Sequence, residues 1–141
     1  MTKRTATARY EGLGKSGKGH VSTQSGVLAD QPYGFNTRFE NEPGTNPEEL
    51  VAAAHASCFT MALSFALANE GHKDGTLDTQ ATVTLDPDGP GFKVTKSDLK
   101  LTASVPGITP DDFARIAEDA KKNCPISKLL TAEVSLTHTL N

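Results

Sequence analysis

Residues 46–71 read NPEELVAAAHASCFTMALSFALANEG, with no charge between Glu49 and Glu70. This stretch predicts the central helix of the fold. Pro47 suits the first turn after a cap at Thr45 or Asn46, Glu48 and Glu49 suit the positive end of the helix dipole, and Gly71 suits the stop. Leu50, Ala54, Cys58, Met61 and Phe65 recur at spacings of three and four and predict one apolar stripe. Ala52, Ala53, Ala56, Ala62 and Ala66 line the other faces, small enough for close approach, so the helix is expected to be covered on both sides.

Upstream, Thr5–Tyr10 and Val21–Leu28 read as strands joined by a turn rich in glycine (Gly12, Gly14, Gly17 and Gly19). Asp30–Gly34 reads as a turn. Phe35–Phe39 then alternates as a third strand, with Phe35, Thr37 and Phe39 on one face and Arg38 on the other. Downstream, Leu77, Thr79, Ala81, Val83 and Leu85 alternate as a half-buried strand. The next strand changes phase between Phe92/Val94 and Leu99/Leu101/Ala103/Val105, which requires a bulge near Lys96–Asp98. Thr109-Pro110-Asp111-Asp112 opens a second helix with Phe113, Ile116, Ala117 and Ala120 buried. Asn123-Cys124-Pro125 closes it, Ile126–Leu130 makes a short turn, and Val134–Leu140 is the last strand. Strands and helices in this order predict α+β, with antiparallel sheets packed on the long helix, and not a doubly wound sheet.

With 141 residues the chain is expected to form one domain, 1–141. Fourteen Lys and Arg against 17 Asp and Glu give a net charge of −3 without like-charge runs, no footprint for nucleic acid or an anionic membrane. The N-terminus reads as no signal peptide, and no segment is expected to approach the roughly 18 apolar residues of a membrane span, so the expected location is cytoplasmic. Sixteen alanines leave only 31 Val, Ile, Leu, Met and Phe, a thin core that a second copy of the chain would complete.

Cys58 and Cys124 are the two cysteines. In mid-helix Cys58 lies beyond the reach of the helix dipole, so a reactive thiolate there needs a cation; Arg38 is the leading supplier. The alternatives are a core cysteine and a solvated arginine. Cys124 precedes Pro125 at a helix end, a position that favours access. Glu48 and Glu49 both fit a capping box. Glu48 lies ten residues from Cys58, about 15 Å of continuous helix, so it could serve Cys58 only from a partner chain or after a helix break. His55 and Cys58, at i and i+3, could share a metal, but His20, His72 and His138 show no ligand spacing and there is no Cys-x-x-Cys; no metal or other cofactor is expected. As a base for Cys58, His55 would share the helix of its nucleophile, a poor geometry. Gly12-x-Gly14-x-x-Gly17 precedes a strand rather than a helix, so it is not a dinucleotide fingerprint.

Pro32-Tyr33-Gly34-Phe35-Asn36-Thr37-Arg38-Phe39, Gly44-Thr45-Asn46-Pro47-Glu48-Glu49-Leu50, Ala53-Ala54-His55-Ala56-Ser57-Cys58-Phe59 and Cys124-Pro125 together resemble the osmotically inducible protein C (OsmC) family, over nearly the whole chain. The resemblance implies an intertwined homodimer with two interfacial sites and a thiol-dependent peroxidase acting on organic hydroperoxides. It makes Cys58 the peroxidatic cysteine, Cys124 the resolving one, Arg38 the activating arginine and Glu48 the carboxylate that holds it, with an external dithiol, lipoyl-type by family precedent, as reductant. Phe39, Phe59 and Met61 are candidate neighbours for the alkyl group. The competing classes are a redox sensor and a ligand-binding stress-response dimer.

Overall fold

The computed structural model describes residues 1–141. They divide into two compact units, Met1–Leu50 and Val51–Asn141.

In the first unit, β1 (Ala6–Glu11) and β2 (Lys18–Thr23) pair antiparallel, and β3 (Gln31–Tyr33) joins the other edge of β2. The glycines between β1 and β2 are there for backbone reasons. Gly12 and Gly14 have φ of 71° and 82°, and a Cβ on Gly17 would lie 2.2 Å from the Gly12 carbonyl oxygen. Residues 31–33, expected as a turn, form β3, and Phe35–Phe39, expected as the third strand, forms a short helix, α1. The Gly34 N–H donates to Thr37 Oγ1 at 2.8 Å, and the Arg38 N–H donates to the Gly34 carbonyl at 3.1 Å. A Phe-x-Thr-x-Phe pattern satisfies the period of a strand, but its two ends also fall four apart, on one face of a helix. The Phe35 and Phe39 rings accordingly sit 5.1 Å apart.

The long helix, α2 (Pro47–Asn69), runs without a break, which closes the helix-break route considered for Glu48. Asn46 Oδ1 accepts the Glu49 N–H at 2.8 Å, and the Thr45 hydroxyl donates to Glu49 at 3.1 Å. Glu49 therefore belongs to the cap. The buried residues of α2 are His55, Phe59, Leu63 and Leu67. The stripe expected through Cys58, Met61 and Phe65 is not the buried one: Met61 and Phe65 are 62% and 66% exposed. Both series advance by about one turn, and on a helix apolar nearly all round, spacing alone does not choose between faces. Against the expectation that no segment approaches a membrane span, α2 is long and apolar enough for one by length and composition, with a mean hydropathy of 1.7. Its buried face is shared with the core of the second unit.

In the second unit β4 (Thr76–Asp88) and β5 (Gly91–Ser104) form a long antiparallel hairpin. Thr84 pairs with Lys96 and Leu85 with Val94, so Thr95 is the extra residue of a bulge, beside the position expected. Its hydroxyl bonds Asp86. Beyond the bulge, Ser97, Leu99, Leu101 and Ala103 all face inward. The chain then passes through α3 (Pro110–Asn123) and α4 (Pro125–Leu129) before β6 (Glu133–Leu140). That helical crossover returns β6 parallel to β5, a departure from the antiparallel pairing expected throughout. Thr109 caps α3 by accepting the Asp112 N–H, and Phe113, Ile116, Ala117 and Ala120 are buried, as their spacing predicts. Phe59, Leu63, Leu99, Leu101, Phe113 and Ile116 make the centre of the core, each no more than 2% exposed.

Candidate active site

Each unit brings together one pair of the residues singled out in the sequence. In the first, Arg38 on α1 donates through Nε and Nη2 to the two carboxylate oxygens of Glu48, at 2.7 and 3.0 Å. The parallel bonds are the geometry that guanidinium and carboxylate prefer, and they leave Nη1 outside the pair. Glu48 is mostly covered, its side chain 14% exposed against 34% for Arg38. Contrary to the strand reading, Arg38 does not point away from the phenylalanines: its guanidinium carbon lies 5.4 Å from the centre of the Phe39 ring. Beside it is a shallow cavity of about 290 Å³ walled by Tyr10, Tyr33, Phe35, Phe39 and Arg38. Of the apolar neighbours considered for an alkyl group, Phe39 lines this cavity, Met61 is exposed on α2, and Phe59 is fully buried in the core and unavailable. Tyr10 and Tyr33 were not foreseen; their place in the cavity follows from β2, which pairs with both of their strands.

In the second unit the two cysteines meet although 66 residues separate them in the chain. Both are free thiols, Cys58 half-buried and Cys124 fully buried. Cys124 does stand at a helix end, as expected, but that end is turned inward and the access expected of it is lost. The thiols are close enough that each shifts the titration of the other. Burial pushes the Cys58 thiol up from its ordinary range, and the neighbouring Cys124 thiol raises it further. Burial also acts upward on Cys124, but the neighbouring Cys58 thiol and the polar start of α4 outweigh it, so its thiol is pulled down. With its thiol pushed up, Cys58 needs a cation next to its sulfur to become a thiolate.

His55 is fully buried, with Nδ1 2.6 Å from Ser97 Oγ and Nε2 2.8 Å from Ser127 Oγ. Burial holds its pKa below the usual histidine value. Both nitrogens are occupied by hydroxyls, so the ring offers neither a lone pair to a metal nor a direct base to Cys58. No group of three or more His, Cys, Asp or Glu side chains gathers to hold a metal ion. Ser97 and Ser127 escaped the sequence reading. The one available signal was a serine at an inward position of a strand otherwise filled by leucine and alanine.

Residues 39–139 match the model of the OsmC-like protein family, a span that holds Glu48, Cys58 and Cys124 and begins one residue after Arg38. Peroxiredoxin OsmC of Escherichia coli is 54% identical over 133 residues, covering 94% of this chain and 93% of that protein. Organic hydroperoxide resistance protein OhrB of Bacillus subtilis is 28% identical over 84% of this chain and 85% of its own length. The crystal structure of an organic hydroperoxide resistance protein from Elizabethkingia anophelis superposes with a TM-score of 0.78 at 29% identity, covering 100% of this chain and 98% of that one. With a family model matching most of its length and a relative identical at more than half of the aligned positions, the chain belongs to the OsmC-like protein family.

Proposed function

We propose that the protein is a cytoplasmic homodimeric peroxidase that reduces organic hydroperoxides to alcohols through Cys58 and Cys124. The observation that carries the reading is the pairing of a half-exposed thiol with a fully buried one. Only Cys58 is open to a substrate arriving from solvent, and its partner is a close neighbour in the core. The names of the Escherichia coli and Bacillus subtilis relatives support the same chemistry.

In the first step the Cys58 thiolate attacks one peroxide oxygen, the O–O bond breaks, and the departing alkoxide takes a proton to become the alcohol. Cys58 is left as a sulfenic acid. Cys124 then displaces the hydroxyl from that sulfur as water, forming a disulfide, and an external dithiol, lipoyl-type by family precedent, reduces it by exchange. Arg38 supplies the cation that the cysteine pair lacks: brought to Cys58 from the same or the partner chain, it draws the charge onto that sulfur and stabilises the developing alkoxide. Glu48 fixes the guanidinium, so the cation meets the peroxide in one orientation. The aromatic cavity beside Arg38 has the chemistry to receive an alkyl group. Assembly of the functional dimer covers the exposed face of α2 that carries Met61 and Phe65.

The test is one equivalent of an organic hydroperoxide added to the reduced protein, mass spectrometry of the products, and turnover with an added dithiol. The expected result is a Cys58–Cys124 disulfide in the wild type, a trapped sulfenic acid in Cys124→Ser, and no peroxide consumption in Cys58→Ser. Activity surviving in Cys58→Ser overturns the reading. A disulfide that forms but supports no turnover with any dithiol assigns the protein to redox sensing instead.

A further inference from the structure

Cys124 is the single residue between α3 and α4. Its N–H donates to the Ala120 carbonyl at 2.9 Å, and its own carbonyl accepts the Lys128 N–H at 3.1 Å. Pro125 holds the Cys124 backbone out of the helical region, at φ −56° and ψ 126°, and the Cys124 side chain makes no capping hydrogen bond. The sulfur is therefore aimed by how the two helices are held around this corner. Phe113, Ile116, Ala117 and Ala120 fix α3 in the core, whereas α4 has five residues and buries none of them. A helix of that length does not hold its place alone. Ile126 leans on the core, and Ser127 reaches His55.

His55 is the fixed end of that contact. Fully buried on α2, it meets Ser127 Oγ at 2.8 Å through Nε2 and Ser97 Oγ at 2.6 Å through Nδ1, so one rigid ring ties α4 through α2 to an inward position of β5. Each hydroxyl both donates and accepts, so the ring is satisfied at both ends with its proton on either nitrogen. The spacing makes the tie specific to the cysteines. Cys58 follows His55 by three residues and Ser127 follows Cys124 by three, so each sulfur lies within one turn of one end of the His55–Ser127 bond. We propose that His55 is a positioning residue for the resolving step: its bond to Ser127 clamps the corner that carries Cys124 against the turn of α2 that carries Cys58. The role rests on the peroxidase reading above.

Once Cys58 is a sulfenic acid, the Cys124 sulfur attacks the Cys58 sulfur. The S–S bond forms, the S–O bond breaks, and hydroxide leaves with the proton that Cys124 gives up, as water. Closure needs the two sulfurs in line, and a clamp within a turn of each raises the effective concentration of one at the other. A sulfenic acid left waiting is carried by a second hydroperoxide to the irreversible sulfinic acid. The first step uses neither Cys124 nor α4, so the clamp acts on the second step alone.

Ser127→Ala removes the bond, and Ser127→Thr keeps the hydroxyl. Ile116→Val trims the core beneath α3 without touching the clamp and supplies a control for lost stability. Each reduced protein receives one equivalent of cumene hydroperoxide, and quenched-flow mass spectrometry follows Cys58 sulfenic acid and the disulfide separately. In Ser127→Ala the sulfenic acid is expected to form at the wild-type rate and the disulfide to close about tenfold more slowly, within the range that misplacing a reacting group costs. Sulfinic acid is expected to accumulate in that variant when hydroperoxide is in excess. Ser127→Thr is expected to restore closure, and Ile116→Val to close as the wild type does. Equilibration with dithiothreitol reads the same clamp without peroxide: a tenfold loss of effective concentration in Ser127→Ala raises the reduction potential of the disulfide by about 30 mV. Wild-type closure in Ser127→Ala, an unmoved potential, or equal slowing in Ile116→Val overturns the proposal. Cys124→Ser isolates the first step: if it forms no sulfenic acid, the peroxidase reading falls and the resolving role with it, whereas if it does and Ser127→Ala closes normally, only the clamp falls.

Discussion

Arg38 and Glu48 are joined by two parallel hydrogen bonds, Nε to Oε1 and Nη2 to Oε2, that tie a five-residue helix to the first turn of the longest one. Lysine cannot reproduce that fork. Arg38→Lys keeps the charge and loses the orientation, so kcat/KM for hydroperoxide is expected to fall by about two orders of magnitude, the scale on which misplacing a positioned group costs an enzyme. Urea denaturation is expected to register less than about 1 kcal/mol for the same change, because the arginine is a third exposed and such pairs add little stability. A stability loss that tracked the activity loss would assign the pair to the fold instead.

The two thiols differ in access. A small alkylating reagent added to the native reduced protein is expected to label Cys58 alone, with Cys124 labelled only after denaturation, because Cys124 is fully buried. Peptide mapping after brief and long exposures checks the order.

His55 makes stability depend on pH. Its folded pKa lies below the unfolded value of about 6.5, so below that pH the unfolded chain binds a proton that the folded chain excludes. Stability is therefore complete at neutral pH and declines as the pH falls below about 6.5 toward the depressed folded value. Denaturation midpoints in wild type and His55→Gln over that window isolate the contribution, since glutamine does not titrate. Ser97→Ala, which leaves His55 Nδ1 buried without its hydrogen-bond partner, is expected to cost about 1–3 kcal/mol at neutral pH.

The exposed face of α2 offers a test of assembly. Phe65→Lys places a charge among Met61 and its neighbours without touching the buried residues His55, Phe59, Leu63 and Leu67. Weaker self-association in sedimentation, at an unchanged far-ultraviolet spectrum, is the expected outcome. An unchanged sedimentation coefficient would remove this face from the proposed dimer.

Where a residue pattern had one physical solution, the sequence was enough. Phe113, Ile116, Ala117 and Ala120 on α3 can face the core in only one rotation, and the phase change along β5 demanded a bulge that the structure places at Thr95. Reading failed where two solutions share a pattern. Phe35-x-Thr37-x-Phe39 serves a strand and a helix equally, and the choice lies with the bond between the Gly34 N–H and Thr37. The α2 stripe was misassigned for a related reason: its deciding residue is His55, whose burial depends on hydroxyls 42 and 72 residues away. The cysteines were legible as candidates, but their meeting and their unequal exposure are products of tertiary structure. Glu48 and Glu49 are equivalent on spacing, and what separates the cap from the ion pair is that the Glu49 carboxylate accepts from Thr45 while that of Glu48 accepts from Arg38.

The inward position of Cys124 also gives the reductive half of the proposed cycle a direction. A dithiol coming from solvent meets the Cys58 sulfur first, so the mixed disulfide forms there and Cys124 departs as the leaving group. Leaving is faster for a thiol of lower pKa, and the surroundings of Cys124 pull its thiol down. The inward sulfur is thus the one released, and each round begins and ends at the one sulfur that solvent can reach.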